Sequence, residues 1–248
     1  MSRRAGMTGE AAPALHVFPS SAALAEAAAG AVRRWAAEAV ADHGRFAIAL
    51  AGGRTPKVLY LTLAGAGPAA LPYDRLEVFW SDERAVPPDH PHSNYRMAWE
   101  SWLSRVPIDP GRVYRIHGED DPEAAAARYE EKLRTVLGNP PRLDLILLGI
   151  GRDGHTASLF PNAPALRSER LVAATRAPAP PRWRVTFTPR LIRTANLVMV
   201  LATGQEKARA VRAALPDPPS AALPASLLRG DHVLWYLDRA AASRLTSS

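Results

Sequence analysis

LDLILLGIGRDGHTASLFP, residues 143–161, decides how the chain folds. Leu143 to Leu148 is an apolar run broken only by Asp144, the pattern of a strand buried on both faces. It ends in Gly149-Ile150-Gly151-Arg152-Asp153-Gly154, where three glycines permit backbone angles closed to other residues. His155 follows directly. A buried strand that stops in such a turn belongs to an open α/β sheet, whose ligands bind beyond the carboxyl ends of the strands. An imidazole delivered there is placed for proton transfer. A hydrogen-bonded turn histidine is the plainer alternative.

Gly149, Gly151 and Gly154 also spell the dinucleotide fingerprint G-x-G-x-x-G. That fingerprint needs a long helix next and an acidic residue about 20 positions on, closing the following strand. Pro161 and Pro164 limit any helix here to roughly two turns. Glu169 precedes the next apolar run and does not close it. Dinucleotide binding is not expected.

Outward from this stretch, apolar runs alternate with helical patterns. Strands are expected at Leu15 to Phe18, Phe46 to Leu50, Leu76 to Trp80, Val113 to Ile116, Leu171 to Ala174, Trp183 to Thr188, Asn196 to Leu201 and His232 to Leu237. Helices are expected from Ser21, capped by Ser20 or Ser21, then at Pro56 to Ala64, Tyr95 to Leu103, Pro122 to Leu137 and Gln205 to Leu215, with a short one at the end. Asp121 is the expected cap of the fourth, with Pro122 at its first position. This alternation implies βαβ units and a mostly parallel sheet. Residues 1–13 are small and polar and read as a flexible tail. Residues 14–248 read as a single α/β domain, because strands resume after each proline cluster.

Hydrophobic residues make up 47% of the 248, enough for a sizeable core and too many for global disorder. Cysteine is absent, which removes disulfides, thiolate nucleophiles and thiolate metal sites and is compatible with a reducing cytoplasm. The net charge of +7 points to an anionic partner. Yet Lys57, Lys132 and Lys207 are the only lysines among 31 basic residues, so the codon usage of a GC-rich genome explains the excess as well. No basic run interleaves with aromatics, and nucleic acid is not expected. No apolar stretch approaches the roughly 20 residues that span a bilayer, so membrane insertion is not expected either. A cytoplasmic protein, monomeric or weakly self-associating, is the expectation.

Four further segments carry chemistry. Ala51-Gly52-Gly53-Arg54-Thr55-Pro56 leaves a strand and opens a helix. Its glycines let the backbone approach an anion, the free N–H groups at the helix start hold it, and Thr55 adds a hydroxyl. A single phosphate fits, since the nucleotide-binding P-loop pattern is missing; a plain tight turn is the alternative. In Ser81-Asp82-Glu83-Arg84, Arg84 suits bidentate phosphate binding and Asp82 suits sugar hydroxyls, against the alternative of a surface charge cluster. Asp89-His90-Pro91-His92 lacks a third metal ligand, and no metal is expected. Arg184, Thr186 and Thr188 fall on one face of their strand. Lys207, the only lysine in the last hundred residues, suits a phosphate as a compact ammonium; a solvated lysine is the alternative. No G-x-S-x-G elbow supports a serine hydrolase.

Together AGGRTP (51–56), SDER (81–84) with HSN (92–94), GIGRDGHTASLFP (149–161), RVTFT (184–188) and GQEKA (204–208) resemble the 6-phosphogluconolactonases and the related glucosamine-6-phosphate deaminases and isomerases, over about residues 15–240. The resemblance implies a Rossmann-like α/β fold, a mostly parallel open sheet with helices on both faces, and no cofactor. The deaminases resemble Gly-His-Ile-Ala-Phe-Asn-Glu-Pro after the histidine; here Phe160 stands in the place of that Glu and cannot transfer a proton. The implied substrate is 6-phosphoglucono-1,5-lactone. Gly52, Gly53, Thr55, Arg84, Lys207 and Arg184 are then the expected phosphate ligands, and Asp82 and Asn94 contact hydroxyls. His155 is the expected general base and Asp153 its orienting acid. An amino-sugar phosphate deaminase and a non-catalytic sugar-phosphate-binding module are the alternatives. For the latter, the residues before Leu15 are too few for a helix-turn-helix.

Overall fold

The computed structural model describes residues 13–216 and 218–245, so all but the last residue of the expected tail lie outside the described residues. In chain order the strands are β1 (Ala14–Phe18), β2 (Phe46–Leu50), β3 (Leu76–Trp80), β4 (Asp82–Arg84), β5 (Leu145–Gly149), β6 (Val172–Arg176), β7 (Trp183–Phe187), β8 (Leu197–Ala202) and β9 (Val233–Asp238). The helices are α1 (Ser21–His43), α2 (Arg54–Gly65), α3 (Asn94–Ser101), α4 (Pro122–Leu137), α5 (Pro189–Ile192) and α6 (Ala208–Ala214).

Six strands form one parallel sheet in the order β1-β9-β8-β5-β2-β3. β2 and β3 are buried at all five positions and β5 at four of five, so both faces of the sheet centre are covered. This is the Rossmann-like α/β architecture expected. Ser20 caps α1 by accepting from Ala23 N at 3.2 Å, and Gly44, at φ 81°, closes it. Asp121 caps α4 through Ala124 N at 3.0 Å, with Pro122 at the first position. Asp144, the lone acid in the central apolar run, accepts from Ala47 N and Asn196 Nδ2, each at 2.8 Å, and ties the entry of β5 to its neighbours.

Four expectations need correction. A second, antiparallel sheet, β4-β7-β6, stands beside the first, and Asp82 to Arg84, where no strand was expected, forms one of its edges. Val113 to Ile116 makes only one bridge, Val78 to Val113. After Tyr114 N reaches Val78 O the chain turns away. The last described residues form turns, not a helix, with Asp238 accepting from both Gly204 N and Ala241 N. The segment from Gln205 begins as a 3₁₀ turn and becomes helical only at Ala208.

The chain lays β2 and then β3 on one side and returns to place β5, β8 and β9 on the other. The strand order therefore reverses between β2 and β5. There the outgoing loops diverge and leave a crevice, the position at which open α/β sheets bind ligands. Among the described residues no helix is long and apolar enough to cross a membrane.

Candidate active site

A cavity of about 630 Å³ opens at that crevice. Its floor comes from the ends of four strands. β2 supplies Gly52, Gly53 and Thr55, β3 leads into Asp82, β5 delivers His155, and β8 leads into Thr203 and Lys207. Arg84 and Asn94 complete the wall. Eight of the ten expected site residues thus meet in one cavity. Asp153 stands behind His155. Arg184 does not line the cavity; its guanidinium donates to the carbonyls of Pro181 and Trp183.

The glycine turn after β5 is closed by Gly151 N donating to His155 O at 2.8 Å. Within it Asp153 Oδ1 lies 2.5 Å from His155 Nδ1 and also accepts from His155 N at 3.2 Å. The imidazole holds the Asp153 carboxyl down at about 2, so the acid is ionised throughout the neutral range. An ionised carboxylate fixes the proton on Nδ1 and leaves the Nε2 lone pair free to accept another. Phe160 packs against the imidazole, ring centres 4.9 Å apart, and one third of the histidine side chain remains exposed.

The other side of the cavity is built from backbone and cations. Gly53, at φ 107°, bends the chain into the first turn of α2, whose leading N–H groups have no helical partner. Gly52 has a different reason to be glycine: a methyl group there would overlap the Asn94 carboxamide. Thr55 Oγ1 is paired with Thr203 Oγ1 at 2.7 Å. Lys207 Nζ donates to Ile150 O at 2.7 Å, anchoring the ammonium to the turn that carries His155. Burial pulls the Lys207 ammonium below its ordinary value. Arg84 reaches His92 O at 2.6 Å, while its buried Nε has no hydrogen-bond partner among the described residues.

Asp82 is buried and held from two sides. Ser158 Oγ donates to Asp82 Oδ2 at 2.7 Å, and Asn94 Nδ2 donates to the Asp82 carbonyl at 2.9 Å. Its neighbour Glu83 is a structural bracket. Its two oxygens accept from Arg84 N, Asn94 N, Tyr95 N and Ser93 Oγ at 2.7–3.1 Å, fixing the start of α3. Burial pushes the Glu83 carboxyl up, against those hydrogen bonds.

Sequence reasoning missed Ser158, Thr203 and the pair formed by Arg54 Nη2 and Glu206 Oε1, 2.5 Å apart on the cavity rim. Only the position of each beside a recognised glycine loop signalled it. Among the described residues no group of three His, Cys, Asp or Glu side chains is placed to hold a metal; His90 and His92 contact each other.

An open α/β sheet whose switch-point cavity sets a glycine loop and a lysine beside a carboxylate-paired histidine has the arrangement of a small-molecule site. The family model for glucosamine-6-phosphate isomerases/6-phosphogluconolactonase matches residues 19–235, and the chain belongs to this family. It is 40% identical over 242 residues to the 6-phosphogluconolactonase of Synechocystis, covering 94% of this chain and 99% of the relative. It is 39% identical over 251 residues to that of Streptomyces coelicolor, covering 95% and 96%. The solved 6-phosphogluconolactonase of Trypanosoma cruzi superposes with a TM-score of 0.85 at 31% identity, covering 96% of this chain and 99% of the other.

Proposed function

We propose that the chain hydrolyses the internal ester of 6-phospho-D-glucono-1,5-lactone to 6-phospho-D-gluconate. The observation that carries this reading is the Asp153–His155 pair on the same cavity wall as Lys207, facing the glycine loop of β2. The phosphate belongs with Gly52, Gly53, Thr55, Arg84 and Lys207, and the hydroxyls with Asp82 and Asn94. Arg184 lies across from Arg84 in the β4–β7 pairing and is left out of the phosphate site.

His155 Nε2 takes a proton from a water molecule as its oxygen attacks the lactone carbonyl. The carbonyl carbon becomes tetrahedral. Its collapse breaks the bond to the ring oxygen, which recovers the proton from the imidazolium. Asp153 keeps the imidazole in the competent tautomer and stabilises its charged form, as the acid of a hydrolytic triad does. An activated ester needs no covalent nucleophile, and a positioned base contributes about 10²–10⁴-fold. Anchoring by the remote phosphate supplies orientation. Phe160, packed on the imidazole, offers no second proton-transfer group and so disfavours amino-sugar ring opening. A monomer or weak homo-oligomer in a cytoplasmic setting, with which the cysteine-free composition is compatible, completes the reading.

A coupled dehydrogenase assay with freshly generated lactone, corrected for spontaneous hydrolysis, tests the reading. Turnover well above background, with no ammonia released from glucosamine 6-phosphate, is the expected result. Ammonia release without lactone turnover reassigns the chain to deamination, and tight binding of 6-phosphogluconate with neither activity makes it a binding module.

A further inference from the structure

A second cavity, of about 380 Å³, lies between α3, residues 110–117 and α4, and shares no lining residue with the first. Its volume falls within the roughly 300–1,000 Å³ typical of small-molecule sites. Its lining includes aromatic rings: Tyr95 and Trp99 from α3, stacked with centres 5.9 Å apart, with the Arg115 guanidinium 5.9 Å from the Tyr95 ring centre, and Tyr114, backed by Phe79 with centres 4.9 Å apart. Ring faces of this kind take aromatic ligands edge-on or offset.

The charges around the mouth do not cancel. Arg115 is held by Glu119 through two bonds of 2.7 and 2.9 Å, and Arg128 by Asp120 at 2.5 Å. Those carboxylates are also the nearest acids to His117, at 3.8 Å. Lys132 is left over. Its ammonium stands 6.0 Å from the centre of the Tyr114 ring, and among the described residues no carboxylate comes within 4.0 Å of it. The residues three and four positions away on α4 are Arg128, Tyr129, Thr135 and Val136, none acidic. Lys132 is also one of only three lysines in an arginine-rich chain, and the one at position 207 sits in the catalytic cavity. A compact ammonium at the lip of an aromatic slot is a receptor for one negative charge carried on a flat body.

We propose that this cavity is a second ligand site, taking a planar aromatic monoanion of one or two rings, with the rings among Tyr95, Trp99 and Tyr114 and the anionic group on Lys132. The site is independent of the assigned reaction.

Calorimetric titration of the intact chain with 2-naphthoate, and with uncharged 2-naphthalenemethanol as its partner probe, tests this. The expected result is one naphthoate per chain, unaffected by saturating 6-phosphogluconate, with binding at least about tenfold weaker for the alcohol. Lys132→Met, an exposed substitution that leaves the fold in place, removes that preference, and Trp99→Ala weakens both probes. No binding at millimolar naphthoate, displacement by 6-phosphogluconate, equal binding of acid and alcohol, or an unaltered preference in Lys132→Met would each overturn the assignment.

Discussion

Asp153 Oδ1 and His155 Nδ1 lie 2.5 Å apart with only Gly154 between them in the chain. Acid and base are presented by a single turn at the end of β5, in which Ala225 N also binds Gly154 O at 2.9 Å. His155→Ala is expected to lower kcat by at least about 10²-fold while product affinity stays within a few-fold. Asp153→Asn keeps the shape but no longer fixes the tautomer, and a kcat loss of about 10²–10⁴-fold with little change in KM is expected. Steady-state kinetics and product titration check both. Near-normal turnover in His155→Ala removes the residue from the mechanism.

The depressed Asp153 carboxyl has a consequence for stability. Its folded-state value of about 2 lies below the ordinary 3.8, so the pair favours the folded state above that ordinary value. The contribution fades as pH falls from about 4 through about 2. The group is partly exposed, and solvent screening holds the effect to about 0.5 kcal/mol. Denaturant titrations of the wild type and Asp153→Asn should converge toward pH 2; parallel curves across that window contradict the pairing.

Gly52→Ala drives a methyl into the Asn94 carboxamide, which must leave Asp82. KM is expected to rise about tenfold or more, with a stability loss of about 1–3 kcal/mol from overpacking. Adding Asn94→Ala relieves the overlap, so the double variant should recover stability but not KM. A double variant less stable than Gly52→Ala would show that the overlap is not the cause.

Lys207→Met removes a cation while retaining its stem. A hydrogen bond to a charged group is worth about 1.5–3 kcal/mol, so KM should rise about 10–100-fold with kcat nearly unchanged. If kcat falls and KM does not, Lys207 acts on the reacting carbon and not on the phosphate.

Glu83→Gln leaves one acceptor oxygen where two now receive four donors. A stability loss of about 1–3 kcal/mol is expected, seen as a Tm lower by roughly 2–4 °C per kcal/mol in a chain of this size. Because the bracket fixes Asn94, KM should rise as well. An unchanged Tm would mean that the carboxylate is not needed there.

The parallel sheet was legible because its strands read as apolar runs: Phe46 to Leu50 inside the sheet, and Leu76 to Trp80 at its edge, broken only by Glu77, begin and end where hydropathy alone puts them. α4 was legible to the residue because Asp121, Pro122 and Gly138 punctuate it. The second sheet was not. Asp82-Glu83-Arg84 is polar and three residues long, and its partner strand is about a hundred residues away, so neither propensity nor periodicity marks it. The same limit hid Ser158 and Thr203, whose roles depend on contacts across 76 and 148 positions. Arg184 shows the converse: its alternating pattern placed it correctly in a strand, but not the neighbouring carbonyls that take its donors.

The proposed proton-handling pair is a local cassette of three residues, whereas the proposed anion cradle is stitched together from loops that begin some fifty, eighty and two hundred positions into the sequence. The two therefore fail differently under stress. Fraying at the rim of the sheet dismantles the grip on the ligand before it touches the imidazole, so a gently heated or denaturant-softened sample should lose apparent affinity first and intrinsic turnover only at global collapse.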